Sequence, residues 1–137
     1  MIKSVTAWID GASRGNPGPG GVGIVVKDDS GKILKKISEY LGDDLTNNQA
    51  EYLALIKCLK YCKNKGIKNA KILSDSNLVV RQMNGQYEVR SENIRNLYEE
   101  AKKLESQIRK VTYMHIPREE NLNADNLANE AIDREKN

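Results

Sequence analysis

Val22-Gly23-Ile24-Val25-Val26-Lys27-Asp28-Asp29-Ser30-Gly31-Lys32-Ile33-Leu34-Lys35-Lys36-Ile37 decides the fold class. A β-branched run and a second apolar run flank Asp28-Asp29-Ser30-Gly31, a turn in which Gly31 supplies the positive φ that closes a hairpin. Upstream, Val5, Ala7 and Ile9 alternate with Thr6, Trp8 and Asp10, the period of a half-buried strand that ends on an acid. The chain therefore opens with three strands in a row.

Downstream, helical patterns alternate with short strands. In Thr46-Asn47-Asn48-Gln49 the Thr and Gln stand at capping-box spacing, which predicts a helix from there to about Asn64, closed at Gly66. Ile72 and Leu73 form a short buried strand leading into Ser74-Asp75-Ser76. Leu78, Val79 and Met83 then predict a short helix stopped at Asn84-Gly85. Ser91 can cap a long amphipathic helix with Ile94, Leu97, Tyr98, Ala101, Leu104 and Ile108 on one stripe. Residues 111–116 read as a last strand ended by Pro117, and Asn121 or Asn123 opens an Ala-rich helix through Ala131. The order β-β-β-α-β-α-α-β-α specifies a mixed sheet flanked by helices, in the α/β class. Its 137 residues are expected to form one domain, 1–137.

Composition narrows the chemistry. One His and two Cys are too few for a zinc site that does not consume nearly all of them, and two Cys cannot staple a chain of this size and suit a reducing compartment. The longest charge-free run, residues 15–26, is short and rich in Gly, so no membrane span is expected. Nothing at the N-terminus resembles a secretory signal, and the expectation is a soluble, cytoplasmic monomer. The net charge of +3 is concentrated in the middle of the chain, where residues 46–90 carry eight basic and three acidic groups. That balance is compatible with a nucleic-acid partner.

Four acids stand at the ends of elements. Asp10 ends the first strand, Asp75 follows the fourth, and Glu51 and Asp125 lie in the first turns of two helices. At 100° per residue, Glu51 falls about 40° from Leu55, inside the apolar stripe, where a carboxylate is costly unless charge or hydrogen bonds offset it. Asp125 lies at the margin of its helix's apolar arc. An isolated acid in such a place is ordinarily a cap or a surface residue. Strand ends in an open sheet converge, however, and four carboxylates meeting there are reasonable only around cations. Oxygen donors without His or Cys suit Mg²⁺ or Mn²⁺.

Other features have plain readings. Gly18-Pro19-Gly20-Gly21-Val22-Gly23 matches a dinucleotide-binding string but leads into β-branched residues instead of a helix. Cys58 and Cys62 read as small apolar core residues, and His115, inside the last strand, as a structural side chain.

The blocks Asp10-Gly11-Ala12-Ser13-Arg14-Gly15-Asn16-Pro17-Gly18, Thr46-Asn47-Asn48-Gln49-Ala50-Glu51, Ser74-Asp75-Ser76 and Asn121-Leu122-Asn123-Ala124-Asp125-Asn126-Leu127-Ala128 together resemble the four signature blocks of type 1 ribonuclease H. The resemblance implies the ribonuclease H-like fold, a five-stranded mixed sheet whose first three strands are antiparallel. It implies an endonuclease that cleaves the RNA strand of RNA/DNA hybrids with two Mg²⁺ or Mn²⁺ ions, leaving 5′-phosphate and 3′-hydroxyl ends. Asp10, Glu51, Asp75 and Asp125 match the metal-binding acids. Gly11, Ser13, Asn16, Asn47, Asn48, Gln49 and Asn77 match substrate-contact positions, where short polar side chains can read ribose 2′-hydroxyls across the shallow minor groove.

The chain also departs from that pattern. The Gly-rich loop that often carries a His before the last acid is replaced by the shorter Pro117-Arg118-Glu119-Glu120, closer to archaeal and reverse-transcriptase-like members. Arg118 is the candidate to take over part of that histidine's role. There is no room between Gly85 and Ser91 for the basic protrusion of some bacterial members, which predicts weaker, more salt-sensitive binding. A non-catalytic binding module and a DNA-cutting nuclease of the same fold are the alternatives.

Overall fold

The computed structural model describes residues 2–136. The three opening strands are β1 (Ser4–Ser13), β2 (Gly18–Asp28) and β3 (Ile33–Leu45). They are followed by α1 (Asn47–Asn64), β4 (Asn69–Ser74), α2 (Asn77–Met83), α3 (Glu92–Glu105), β5 (Lys110–His115) and α4 (Leu122–Lys136), with a single 3₁₀ turn, Arg118–Glu120, ahead of α4. The sheet order is β3-β2-β1-β4-β5, with β1 antiparallel to β2 and parallel to β4. This is the five-stranded mixed sheet expected from the hairpin and the β-α-β order that follows it.

One face of the sheet presents Val5, Ala7 and Ile9 of β1, Val22, Ile24 and Val26 of β2 and Ile72 of β4. These form the core with Leu55, Leu59 and Cys62 of α1 and Ile94, Ala101 and Leu104 of α3. α4 covers the opposite face, burying Ala124, Ala128, Ala131 and Ile132 against β1, β2 and β3. The two faces demand opposite side chains of neighbouring β2 residues. Val22 and Ile24 fill the core, whereas a Cβ on Gly23, between them, would fall well under 3.0 Å from the Ala124 carbonyl oxygen of α4. The mirror case is Gly11 of β1, where a Cβ would run into the Ala50 carbonyl of α1. Both helices thus rest on the sheet backbone to backbone.

Several boundaries differ from the sequence expectation. β3 continues eight residues past Ile37 to Leu45, because this edge strand is largely solvated and its polar residues carry no alternating signal. α3 stops at Glu105, so Ile108 is buried just beyond the helix and not on its stripe. Ser91 precedes α3 but makes no capping bond to it, its hydroxyl pairing instead with the Asn93 side chain. α4 runs on past Ala131 to Lys136. At the start of α1 the expected capping box is present: the Gln49 amide N–H donates to Thr46 Oγ1 (3.1 Å) and the Thr46 amide N–H donates to Gln49 Oε1 (2.9 Å). Among the described residues no helix is long and apolar enough to cross a membrane.

Candidate metal centre

Because β1 and β4 are parallel neighbours, their carboxyl ends lie side by side. Their last register pair is Ile9 with Ser74, and the next residue on each strand is an acid, Asp10 and Asp75. β1 outruns β4 at that point and continues to Ser13 against β2, so Asp10 marks the parting of the strands and not the end of β1. Glu51, the fifth residue of α1, points down at the same place, one turn later than its sequence position suggested. Asp10 and Glu51 are 5% and 6% exposed, and Asp75 is half-buried. One carboxylate oxygen from each of the three lies within 4.8 Å of the others.

Two contacts hold this arrangement. The Gly11 N–H donates to Glu51 Oε1 at 2.6 Å, which the close seat of α1 on Gly11 makes possible. Asn121 is 1% exposed and donates from Nδ2 to the Ile9 carbonyl (2.8 Å) and to Asp75 Oδ2 (3.5 Å), tying the start of α4 to both strand ends. Asp125, in the first turn of α4, stands outside the group of three, but it lines the same cleft and helps raise the Asp10 carboxyl. Its other neighbours are Asn129 Nδ2 at 3.2 Å and the exposed Arg118 guanidinium at 3.8 Å.

The electrostatics follow from this crowding. Burial, then the charges of Glu51 and Asp75, pushes the Asp10 carboxyl far above the ordinary range. Burial also raises Glu51, opposed by the Gly11 hydrogen bond, which favours its ionised form. Without a cation the folded protein therefore holds protons that the unfolded chain releases from about pH 4 upward, so its stability must fall as pH rises toward neutrality. The melting temperature of the chelator-treated protein is expected to drop by several degrees between pH 5 and 8, and Mg²⁺ to reverse the drop. A flat profile would show that these carboxyls are not coupled to folding.

The acids line an open cleft of about 460 Å³ together with Gly11, Ala12, Ser13, Asn47, Ser76, Arg118 and Asn129. All four expected acids, Arg118 and three of the expected substrate-contact residues are thus brought together. Gly11 lines the wall, but its N–H is spent on Glu51. Ser13 Oγ is turned toward the Leu45 carbonyl (2.6 Å). Asn16, Asn48, Gln49 and Asn77 do not line the cleft: Gln49 completes the α1 cap, Asn16 Oδ1 accepts from the Asn47 N–H (2.9 Å), and Asn77 Oδ1 accepts from Arg81 Nε (3.0 Å). Exposed His115 is not among the lining residues either. Sequence reading placed Asn121 at a helix start and in the last signature block without giving it a role, and it missed Asn129, whose one signal is its place one helical turn after Asp125.

Comparison with known proteins fits this geometry. The family described as reverse transcriptase-like matches residues 9–131. A bifunctional protein of Mycobacterium tuberculosis is 44% identical over 125 residues, covering 90% of this chain and 34% of the relative. Ribonuclease HI of Halobacterium salinarum is 40% identical over 129 residues, covering 94% of this chain and 64% of the relative. This chain therefore spans about a third of the first relative's length and just under two thirds of the second's. Among solved structures, LC11 ribonuclease H1 in complex with an RNA/DNA hybrid superposes with a TM-score of 0.92 at 37% identity, over 97% of this chain and 99% of that one.

Proposed function

Since the chain belongs to the type 1 ribonuclease H family, as a reverse transcriptase-like member, we propose that it hydrolyses the RNA strand of RNA/DNA hybrids with divalent metal. The observation that carries this reading is the set of three carboxylate oxygens within 4.8 Å of one another at the parting of two parallel strands. The donor set fits a hard cation. It consists of oxygen alone, two of its carboxyls are buried, and the lining sets four acids against one guanidinium. Asp10, Glu51 and Asp75 would hold the metal, with Asp125 completing the set. Two Mg²⁺ or Mn²⁺ ions bound there would supply Lewis-acid stabilisation of the phosphodiester and activation of water, work that would otherwise need a nucleophilic side chain.

The remaining roles belong to this chain's own groups. Gly11 fixes Glu51 through its N–H, and Asn121 fixes Asp75. Asn47, exposed at the start of α1, and Ser76 on the cleft wall offer short polar groups to a ribose 2′-hydroxyl, while Ser13 shapes the wall with its hydroxyl bonded to the Leu45 carbonyl. Asn16 acts one step back by holding the Asn47 backbone. Asn48, Gln49 and Asn77 flank the cleft at two helix starts. Arg118 is 75% exposed and free to reach a phosphate at the rim. Products would carry 5′-phosphate and 3′-hydroxyl ends.

The test is cleavage of strand-labelled RNA/DNA hybrid, duplex RNA and duplex DNA in Mg²⁺, Mn²⁺ or chelator. Cutting of the RNA strand of the hybrid, abolished by chelator, is the expected result. Binding without cutting in either metal would leave a non-catalytic module, and cutting of duplex DNA would assign a different nuclease.

A further inference from the structure

A chain of hydrogen bonds runs from the back of the cleft wall to the turn between β1 and β2. Asn129 donates from Nδ2 to the Asp125 carbonyl (3.0 Å) and to Asp125 Oδ1 (3.2 Å). On its other side, Arg14 Nη2 donates to Asn129 Oδ1 (3.2 Å) and to the Asn129 carbonyl (3.3 Å), while Arg14 Nη1 pairs with Asp133 Oδ1 (2.5 Å). The donor order along this chain has one solution. A guanidinium only donates and the Asp125 backbone carbonyl only accepts, so the amide must turn its oxygen to Arg14 and its NH₂ to Asp125. A flipped amide would set its oxygen against the Asp125 carbonyl and carboxylate and its NH₂ against the guanidinium, three repulsive contacts in place of three bonds.

The side-chain hydrogen bond that Asp125 accepts comes from Asn129. Glu51 is held by a backbone N–H and Asp75 by a buried amide, whereas Asp125 is only 17% exposed yet lies outside the group of three and 3.8 Å from the exposed Arg118 guanidinium. We infer that Asn129 is a positioning residue for Asp125 and that Arg14, which does not line the cleft, acts through it by fixing the amide's orientation. This rests on the cleft being a metal-dependent nuclease site. The turn that carries Arg14 also carries Asn16, which holds the backbone at the start of α1. One four-residue connection therefore braces both helices that bring acids to the cleft.

The variants Asn129→Ala, Arg14→Met and the double variant test this. Ala is the best helix former at a helix interior and Met keeps the apolar stem of Arg14, so folding is preserved, as melting curves will verify. Asn129→Ala is expected to lower kcat on the hybrid about tenfold with KM changed less than about twofold. The midpoint for Mg²⁺ binding to the substrate-free protein should rise by a similar factor, as for other residues that orient metal-binding carboxylates. Arg14→Met should shift both readouts in the same direction by less, and the double variant should match Asn129→Ala alone, because Arg14 works through that amide. Multiplying effects, or a rise in KM confined to Arg14→Met, would overturn the relay in favour of a direct phosphate contact. Variants that lower only the melting temperature would reduce Arg14 and Asn129 to a structural brace. Should wild-type protein fail to cut hybrid at all, the nuclease reading falls, while the Mg²⁺ midpoints and their non-additivity still decide the relay.

Discussion

Asp10→Asn is expected to lower Mg²⁺-dependent cleavage of an RNA/DNA hybrid by at least about a thousandfold, and at the same time to raise the melting temperature of the metal-free protein. Both effects have one cause. Asp10 shares the group of three with Glu51 and Asp75 and lines one cleft with Asp125. Asn preserves its shape but removes the charge and one oxygen donor. Catalysis loses the ligand set, while the unligated fold loses its most costly buried carboxylate, whose ionisation burial and Glu51 both oppose. The gain in stability should be several degrees at pH 8 and should vanish only below about pH 3, where the carboxyl is protonated in both folded and unfolded chains. Scanning calorimetry in chelator and a steady-state assay on the same preparation check the two halves. Retention of more than a few per cent of activity would remove Asp10 from the centre.

Gly23→Ala is the second large effect, and it acts on the strand beside β1, at the register partner of Asp10. The added methyl would meet the Ala124 carbonyl oxygen and the Ala128 amide nitrogen of α4, both backbone atoms that cannot rotate away. Either α4 lifts off β2 or the strand bows, and overpacking of this kind costs about 3 kcal/mol or more. For a chain of this length that is roughly a 10 °C loss in Tm. Cleavage should fall further than the folded fraction alone explains, because the Ala124 that the methyl strikes is the residue before Asp125. Activity measured well below the variant's melting point separates the two losses. An unchanged Tm would show that α4 is not seated as closely as described.

How much of this was legible in the sequence follows from where each constraint originates. The hairpin around Gly31 and the alternating strand that carries Asp10 are local patterns, and with the capping box at Thr46 they led to the correct sheet and the correct first helix. Glu51 was legible because its helical phase puts a carboxylate where an apolar residue belongs, a conflict only a site resolves. The convergence of Asp10 and Asp75 needed only that β1 and β4 be parallel neighbours, which they are. What stayed hidden depends on elements distant in the chain. Nothing near Asn121 indicates that it will bond the Ile9 carbonyl 112 residues earlier. Similarly, Asn129 looks like any polar residue on a helix until Arg14 arrives beside it. Gln49, matched by the resemblance to a substrate-contact position, has its side-chain oxygen in the cap that the Thr46 spacing itself supported. The later residues of β3 were missed because a solvated edge has no hydrophobic face to reveal its period.

The backbone seats at Gly11 and Gly23 bear on how such a protein tolerates change. The heights of α1 and α4 above the sheet are set by peptide groups in contact, not by the volumes of interdigitating side chains. A conservative exchange elsewhere in the interior, such as Ile56→Val or Leu104→Met, alters packing energy without altering those two heights. The core can therefore drift in sequence, gaining or losing thermal resistance, while the spacing between Glu51 and Asp125 stays constant. Robustness of the fold and accuracy of the cleft are in this way assigned to different atoms, and a stabilising repack need not be bought with activity.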